Sequence, residues 1–312
     1  MDDVYKKFEL TKGNHLQYWF NGNSTQHWRQ HPYEIAHCAV GIGHAPDGST
    51  FLESLTRSAK VLYNRHGCDF RLFLSGGLDS EVALRVFYNN GYAVTPFIIK
   101  FANNLNEPDV KNALVLCNDL GVEPVIFDFD PVKFVESGEW RRVAASYQCY
   151  TFYQQLLLYI AEQQRAPMIT IDEIELQKHQ NAWWFVKKED QDGCWHRFVE
   201  STGIPAYNNF YTYDPNTITA FTANNIVENL INDRIFGKLS WTSSKHTIYT
   251  ELTGFDMRNR PKRHGMEHML NIWEFVASET SKMLNATPAE FIFDVSQLHK
   301  LKLGTPITCN II

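Results

Sequence analysis

Asp69-Phe-Arg-Leu-Phe-Leu-Ser-Gly-Gly-Leu-Asp-Ser-Glu-Val-Ala-Leu-Arg-Val-Phe-Tyr-Asn-Asn-Gly91 is the stretch that decides how the 312-residue chain folds. Arg71 to Leu74 is a short apolar run suited to a buried strand. Ser75-Gly76-Gly77-Leu78-Asp79-Ser80 is a turn rich in small residues, and Val82, Ala83, Val86 and Phe87 then recur at helical spacing. Gly91 is placed to stop that helix. A strand that breaks into glycines and restarts as a helix aims backbone N–H groups at one spot, and the helix dipole adds positive charge there. The spot favours an anion. Gly76 and Gly77 let a phosphate approach the backbone, and Ser75 and Ser80 offer hydroxyl donors. Asp79 is out of place beside a phosphate unless a divalent cation sits between them. Its carboxylate, on an exposed turn, is expected to hold none of the core. A tight strand-to-helix turn without a ligand is the bland alternative. No Gly-Lys-Ser or Gly-Lys-Thr follows, so this is not a Walker sequence.

Outward from the turn the same rhythm repeats. Phe51, Leu52, Leu55, Ala59, Leu62 and Tyr63 follow a helical period, with Asp47 or Ser49 as the cap. Ala93 to Phe101 is the next strand. Pro108 opens a helix that runs to Leu120 and stops at Gly121, and Val122 to Phe129 is a third strand. Tyr147 to Gln164 is expected to form one long helix and Pro167 to Ile171 a fourth strand. This β-α-β-α-β order predicts an α/β fold, a parallel, doubly wound sheet with flanking helices and right-handed crossovers. Ligands in such sheets sit beyond the carboxyl ends of the strands, where Ser75 to Ser80, Phe101 and Asp128 to Pro131 converge. Three segments are expected: an N-terminal arm over 1–48, the nucleotide-binding core over 49–180, and a helical and loop-rich region over 181–312 that completes the site.

Ser75 to Ser80 resembles the PP-loop of the N-type ATP pyrophosphatases, the family of asparagine synthetase, argininosuccinate synthetase, GMP synthetase, NAD synthetase and tRNA lysidine synthetase. With Leu78 and the preceding helix, the likeness is nearest the synthetase domain of asparagine synthetase, and it extends over about residues 50 to 130. The resemblance implies ATP and Mg²⁺, cleavage between the α and β phosphates, adenylation of a substrate oxygen, and displacement of AMP by a nitrogen or sulfur nucleophile. It implies that Leu74, Ser75, Gly76, Gly77, Leu78, Asp79 and Ser80 hold the nucleotide, and that Ile99 or Phe101 packs the adenine with backbone atoms reading its edge. Asp79 and Asp172 become metal ligands by the same likeness. Asp172 follows the fourth strand as the first acid of Asp172-Glu173-Ile174-Glu175, but Met168 to Ile171 lacks the family's glycines, and a helix-capping role for Asp172 stays open. The family's C-terminal lysine, which neutralises pyrophosphate, falls on Lys245 or on its rival Lys262. Asp79 and whichever lysine it is would be catalytic. Asp2 stands where the glutaminase of asparagine synthetase has its nucleophilic Cys, so no glutaminase domain is expected. Ammonia or another amine then comes from outside the chain, with a separate glutaminase as one source.

The rest of the chain bounds this reading. Hydrophobic content of 44% and charged content of 21% suit a substantial core, and the formal net charge of −6 argues against wrapping nucleic acid. No apolar run approaches the roughly 18 residues of a membrane span, and no signal-peptide core is present; the expected location is the cytoplasm, with no membrane partner. Cys38, Cys68, Cys117, Cys149, Cys194 and Cys309 are scattered, without C-x-x-C pairs, and read as free thiols. The aromatic stretch 182–215 shows no period and reads as an insertion or lid. Arg258, Arg260, Lys262 and Arg263 are either a solvated face or a clamp for phosphates or a polyanion. His264, Glu267 and His268 mimic metal spacing weakly. The expected function is an ATP-dependent adenylating ligase making a C–N bond on a small-molecule or nucleoside acceptor. A tRNA or nucleobase modification enzyme is the alternative, and a nucleotide-binding module without turnover is the alternative from another class.

Overall fold

The computed structural model describes residues 18–20, 23–25, 36–42, 48–171, 176–179, 182–187, 189–212, 214, 217, 220–221, 223–227, 241–260 and 267–284. Its strands are β1 (Tyr18–Phe20), β2 (Asn23–Thr25), β3 (Ala36–Ile42), β4 (Arg71–Phe73), β5 (Thr95–Phe101), β6 (Val125–Phe129), β7 (Met168–Ile169), β8 (Leu176–His179), β9 (Ala182–Lys187) and β10 (Ala206–Tyr207). Its helices are α1 (Phe51–His66), α2 (Leu78–Asn89), α3 (Glu107–Leu120), α4 (Pro131–Glu136), α5 (Glu139–Tyr147), α6 (Phe152–Gln164), α7 (Glu189–Thr202), α8 (Trp241–Thr253) and α9 (Leu270–Leu284).

β10, β7, β4, β5 and β6 form one sheet in that order, and every neighbouring pair is parallel. β4 comes first in the chain and lies in the middle. The chain steps outward to β5 and β6, then crosses back to β7 and β10 on the other side. The strand order therefore reverses between β4 and β7, the point where ligands bind in open α/β sheets. Both faces are covered, as alternation along the strands requires. Leu72, Leu74 and Ile98 join Leu55, Val82 and Leu116 in one core, while Phe73, Phe97 and Phe101 join Trp140, Leu157 and Trp195 in the other. Each such fully buried large side chain contributes about 1.5–3 kcal/mol.

Local chemistry sets the helix ends. α1 is capped by Thr50 rather than by Asp47 or Ser49, in a reciprocal box with Glu53: the Thr50 hydroxyl accepts from Glu53 N at 3.2 Å, and the Glu53 carboxylate accepts from Thr50 N at 2.7 Å. α2 ends through Gly91 at φ +68°, whose N–H donates to Tyr88 O while Tyr92 N donates to Phe87 O. α4 carries Pro131 in its first turn, with the Asp130 carboxylate accepting from Val132 N and Lys133 N.

Two expectations are corrected. The helix expected over 147–164 starts only at Phe152: Tyr147 ends the preceding helix α5, Gln148 takes φ +50°, and the chain turns before restarting. The stretch 182–215 is not the irregular segment its lack of period suggests: its described residues supply β9, α7 and β10, and Trp195, Phe198, Tyr207, Phe210 and Tyr211 are fully buried. Residues 1–48 include β1, β2 and β3, which pair antiparallel with β9 and β8 in a second sheet of order β2-β1-β3-β9-β8. The division expected after residue 180 falls between the paired strands β8 and β9. A helical period also runs over 221–236 in the sequence; of that range only 221 and 223–227 are described, with 221 and 225–227 helical and 223–224 in a turn.

Candidate active site

β4 hands the chain to the glycine turn. Leu74 N donates to Phe97 O at 2.9 Å, the last ladder bond between β4 and β5 before the chain leaves the sheet. Gly76 then takes φ +78°, and a Cβ there would lie 2.2 Å from the backbone oxygen of Asp109. Two demands fall on one residue, a left-handed backbone and a close approach to the first turn of α3, and only glycine meets both. Gly77 differs. It is the N-cap of α2 with φ −82°, and a Cβ would meet Ser75 Oγ at 3.3 Å. No side chain caps α2, so the positive end of its dipole faces the turn. Ser75 and Ser80 brace the loop: Gly77 N donates to Ser75 Oγ at 3.3 Å, Ser80 Oγ donates to Gly77 O at 3.0 Å, and the two hydroxyls lie 3.2 Å apart. Ser80 is buried by this arrangement and Ser75 remains exposed. Leu78 points into the core, so only its backbone is available to a ligand.

A cleft of about 480 Å³, part of it open solvent, lies on the β5 side of the turn, lined by Leu74, Ser75, Ile99, Phe101, Asn106 and their neighbours. Ile99 and Phe101, expected at the base, thus line one cleft with Leu74 and Ser75, expected to hold the nucleotide.

On the other side stands Lys245. It lies on α8 with only 6% of its surface exposed, and its Nζ donates to Asp79 Oδ2 at 2.9 Å and Oδ1 at 3.2 Å. One helical turn on, Tyr249 Oη donates to Asp79 Oδ1 at 2.5 Å. Tyr211, just beyond β10, donates its Oη to the Asp79 backbone oxygen at 2.8 Å. The rings of Phe51, Tyr211 and Tyr249 lie nearly parallel with centroids 6.1–6.3 Å apart. Burial first, and the Asp79 charge second, push both phenols well above their usual range. They therefore remain donors throughout the physiological range.

Asp79 is accordingly not the free carboxylate of an exposed turn. It is held by an ammonium, a phenol and the start of a helix, with its side chain 20% exposed. A Mg²⁺ bound to it would face the Lys245 ammonium at contact distance. As the side chains stand, Asp79 could take a metal only if Lys245 gave way. The second expected ligand, Asp172, lies outside the described residues, as do Glu173, Glu175 and the rival lysine, Lys262.

The basic run after α8 is tied down where it is described. Arg258 pairs with Asp119 of α3 at 2.8 Å, and Arg260 lies 2.6 Å from the buried Glu81 of α2, which also accepts from Arg85 at 2.8 Å. Two of the four cations expected as a clamp are thus committed to carboxylates. Lys262, Arg263 and His264 lie outside the described residues. Tyr211, Tyr249 and Asn106 are the site residues that sequence reasoning missed. The Lys245-x-x-x-Tyr249 spacing, which puts both on one helix face, was a usable signal; Tyr211 carried none beyond its aromatic surroundings. No helix among the described residues is long and apolar enough to cross a membrane.

No family model and no curated protein sequence matches the chain. Among solved structures it is similar to an NMN synthetase from Francisella tularensis, at 16% identity over 84% of this chain and 98% of that one, with a TM-score of 0.32. It is also similar to an NH3-dependent NAD synthetase from Campylobacter jejuni, at 12% identity over 68% of this chain and 98% of that one, with a TM-score of 0.28.

Proposed function

We propose that the chain is an ATP-dependent adenylating ligase that releases AMP and pyrophosphate and forms an amide or other C–N bond. The observation that carries this reading is the placement of Lys245: a buried ammonium brought to the uncapped N-terminus of α2, beside a glycine turn at the switch point of a parallel sheet. In this reading the base of ATP lies in the cleft of Leu74, Ile99 and Phe101, and the phosphates lie over Ser75 to Ser80. A substrate carboxylate oxygen attacks the α-phosphorus. An O–P bond forms, the bond from the α-phosphorus to the bridging oxygen breaks, and pyrophosphate leaves with that electron pair. Negative charge grows on the leaving group, where the Lys245 ammonium and the α2 backbone amides are preorganised to meet it. Asp79, fixed by Tyr249 and Tyr211, holds Lys245 in place. Ammonia or another external amine then attacks the acyl carbon and AMP departs. The acceptor is a small molecule or nucleoside, and no step requires a metal on Asp79.

The products test the reading. Incubated with ATP, ammonium and a panel of carboxylate acceptors, the protein should yield AMP and pyrophosphate in equal amounts. ADP and phosphate instead would place cleavage at the wrong bond. ATP binding with no cleavage across the panel would favour a nucleotide-binding module without turnover.

A further inference from the structure

The end of β5 carries a feature that bears on which base the cleft accepts. Asn106, 8% exposed, sits between β5 and α3 and lines the cleft beside Ser75. Its Oδ1 accepts from Phe101 N at 2.8 Å, and its Nδ2 donates to Ile99 O at 2.8 Å. The amide orientation is dictated by the partners, since one is a donor and the other an acceptor. These two backbone groups belong to residues i and i+2 of one strand and point to the same side. They are open on that side because the β4–β5 ladder ends with Leu74 N on Phe97 O. Beyond that bond, β5 has lost its β4 neighbour, and an unpaired buried donor and acceptor are costly.

A carboxamide edge, acceptor beside donor in one plane, has the same polarity as the N1 and N6 edge of adenine. Guanine presents the reverse, a donor at N1 beside an acceptor at O6, and would set N–H against N–H and oxygen against oxygen. We propose that Asn106 is a built-in stand-in for the base edge, guarding the backbone pair that selects adenine. Its carboxamide satisfies Ile99 O and Phe101 N while the cleft is empty, and an adenine takes over both bonds by displacing it. The proposal rests on the reading of the cleft as the ATP base site. It has two consequences: adenine binding is a hydrogen-bond exchange rather than a net gain, so wild-type affinity is held down, and discrimination against guanine comes from backbone polarity exposed only when Asn106 moves.

The experiment pairs nucleotide titration with amide hydrogen exchange on wild type, Asn106→Ala and Asn106→Asp, using ATP, GTP and purine riboside triphosphate, which lacks the N6 amino group. Asn106→Asp keeps an acceptor for Phe101 N but sets oxygen against Ile99 O, so it opens half the contact even if Asn106→Ala folds poorly. Removing the competitor should tighten ATP roughly ten- to thirtyfold in Asn106→Ala, the weight of two neutral hydrogen bonds, and less in Asn106→Asp. GTP should gain nothing, and purine riboside triphosphate should gain less than ATP. The Phe101 amide should exchange slowly in wild type, faster in empty Asn106→Ala, and slowly again once ATP is added. Unchanged ATP affinity in both variants, or a Phe101 amide that ATP fails to protect in Asn106→Ala, would overturn the proposal while leaving ATP binding intact. If no nucleotide binds to wild type or either variant, the adenylation reading falls and this proposal with it.

Discussion

The two flanks of the glycine turn are built in opposite ways. The cleft flank comes mostly from residues 73–110, a strand–helix–strand passage running into α3, with Tyr153 of α6 as the one distant addition. The lysine flank is assembled across the chain: Asp79 is joined to Tyr211, Lys245 and Tyr249, which lie 132, 166 and 170 residues away. One flank is a consequence of local folding. The other exists only when the whole domain has closed on β10 and α8. A local flank shapes a place for a ligand, whereas the distant flank brings in the charge that can act on it.

The largest effect should come at the hinge between them. Gly76→Ala forces a Cβ into the Asp109 backbone at a left-handed position, which should cost roughly 3–4 kcal/mol in denaturant unfolding. Gly77→Ala, with an ordinary φ and a movable Ser75 hydroxyl as neighbour, should cost less than about 1 kcal/mol. Equal losses at both glycines would mean that the turn is not pinned against α3. Asp79→Ala should come next, at about 2–3 kcal/mol, because it leaves the Lys245 ammonium and the Tyr249 hydroxyl buried without this partner. Lys245→Met should cost less, since Asp79 keeps Tyr249 and the helix N-terminus. The reverse order would show that the ion pair does not organise this flank.

Tyr249→Phe should cost about 1 kcal/mol at neutral pH, one hydrogen bond to a charged group less the relief of a buried hydroxyl. Its sharper signature is in alkali. The folded Tyr249 titrates well above its unfolded value of 10.0, so the folded state keeps a proton that the unfolded state releases. The stability tied to it is fully present below pH 10 and is lost as pH rises beyond that. The wild type should therefore lose stability more steeply above pH 10 than Tyr249→Phe. Parallel pH curves would contradict the buried phenol–carboxylate contact.

The same division explains what could be read from the sequence. Residues 69–129 were legible because each signal is local: apolar runs for β4, β5 and β6, a helical period for α2 and α3, Pro108 and Gly121 at the helix ends. The break at Gln148 was not, because apolar spacing runs straight across 147–164 and no Gly or Pro marks the turn. Nor was 182–215, where a strand, a helix and a second short strand are packed by tertiary contact and leave no common period. Asp79 stands out in the sequence as a residue of the turn, but its surroundings do not. Nothing local says that a lysine and two tyrosines arrive from beyond residue 206 to hold Asp79 in an ion pair and two phenol contacts.

The central claim is that the two flanks serve the two halves of ATP. AMP and pyrophosphate, titrated separately by calorimetry against wild type and Lys245→Ala, test it without knowledge of the acceptor. Loss of the ammonium should weaken pyrophosphate binding at least about tenfold, as expected for one charge-assisted contact, and leave AMP binding unchanged. An equal loss for both ligands, or none for either, would contradict the assignment of Lys245 to the departing pyrophosphate.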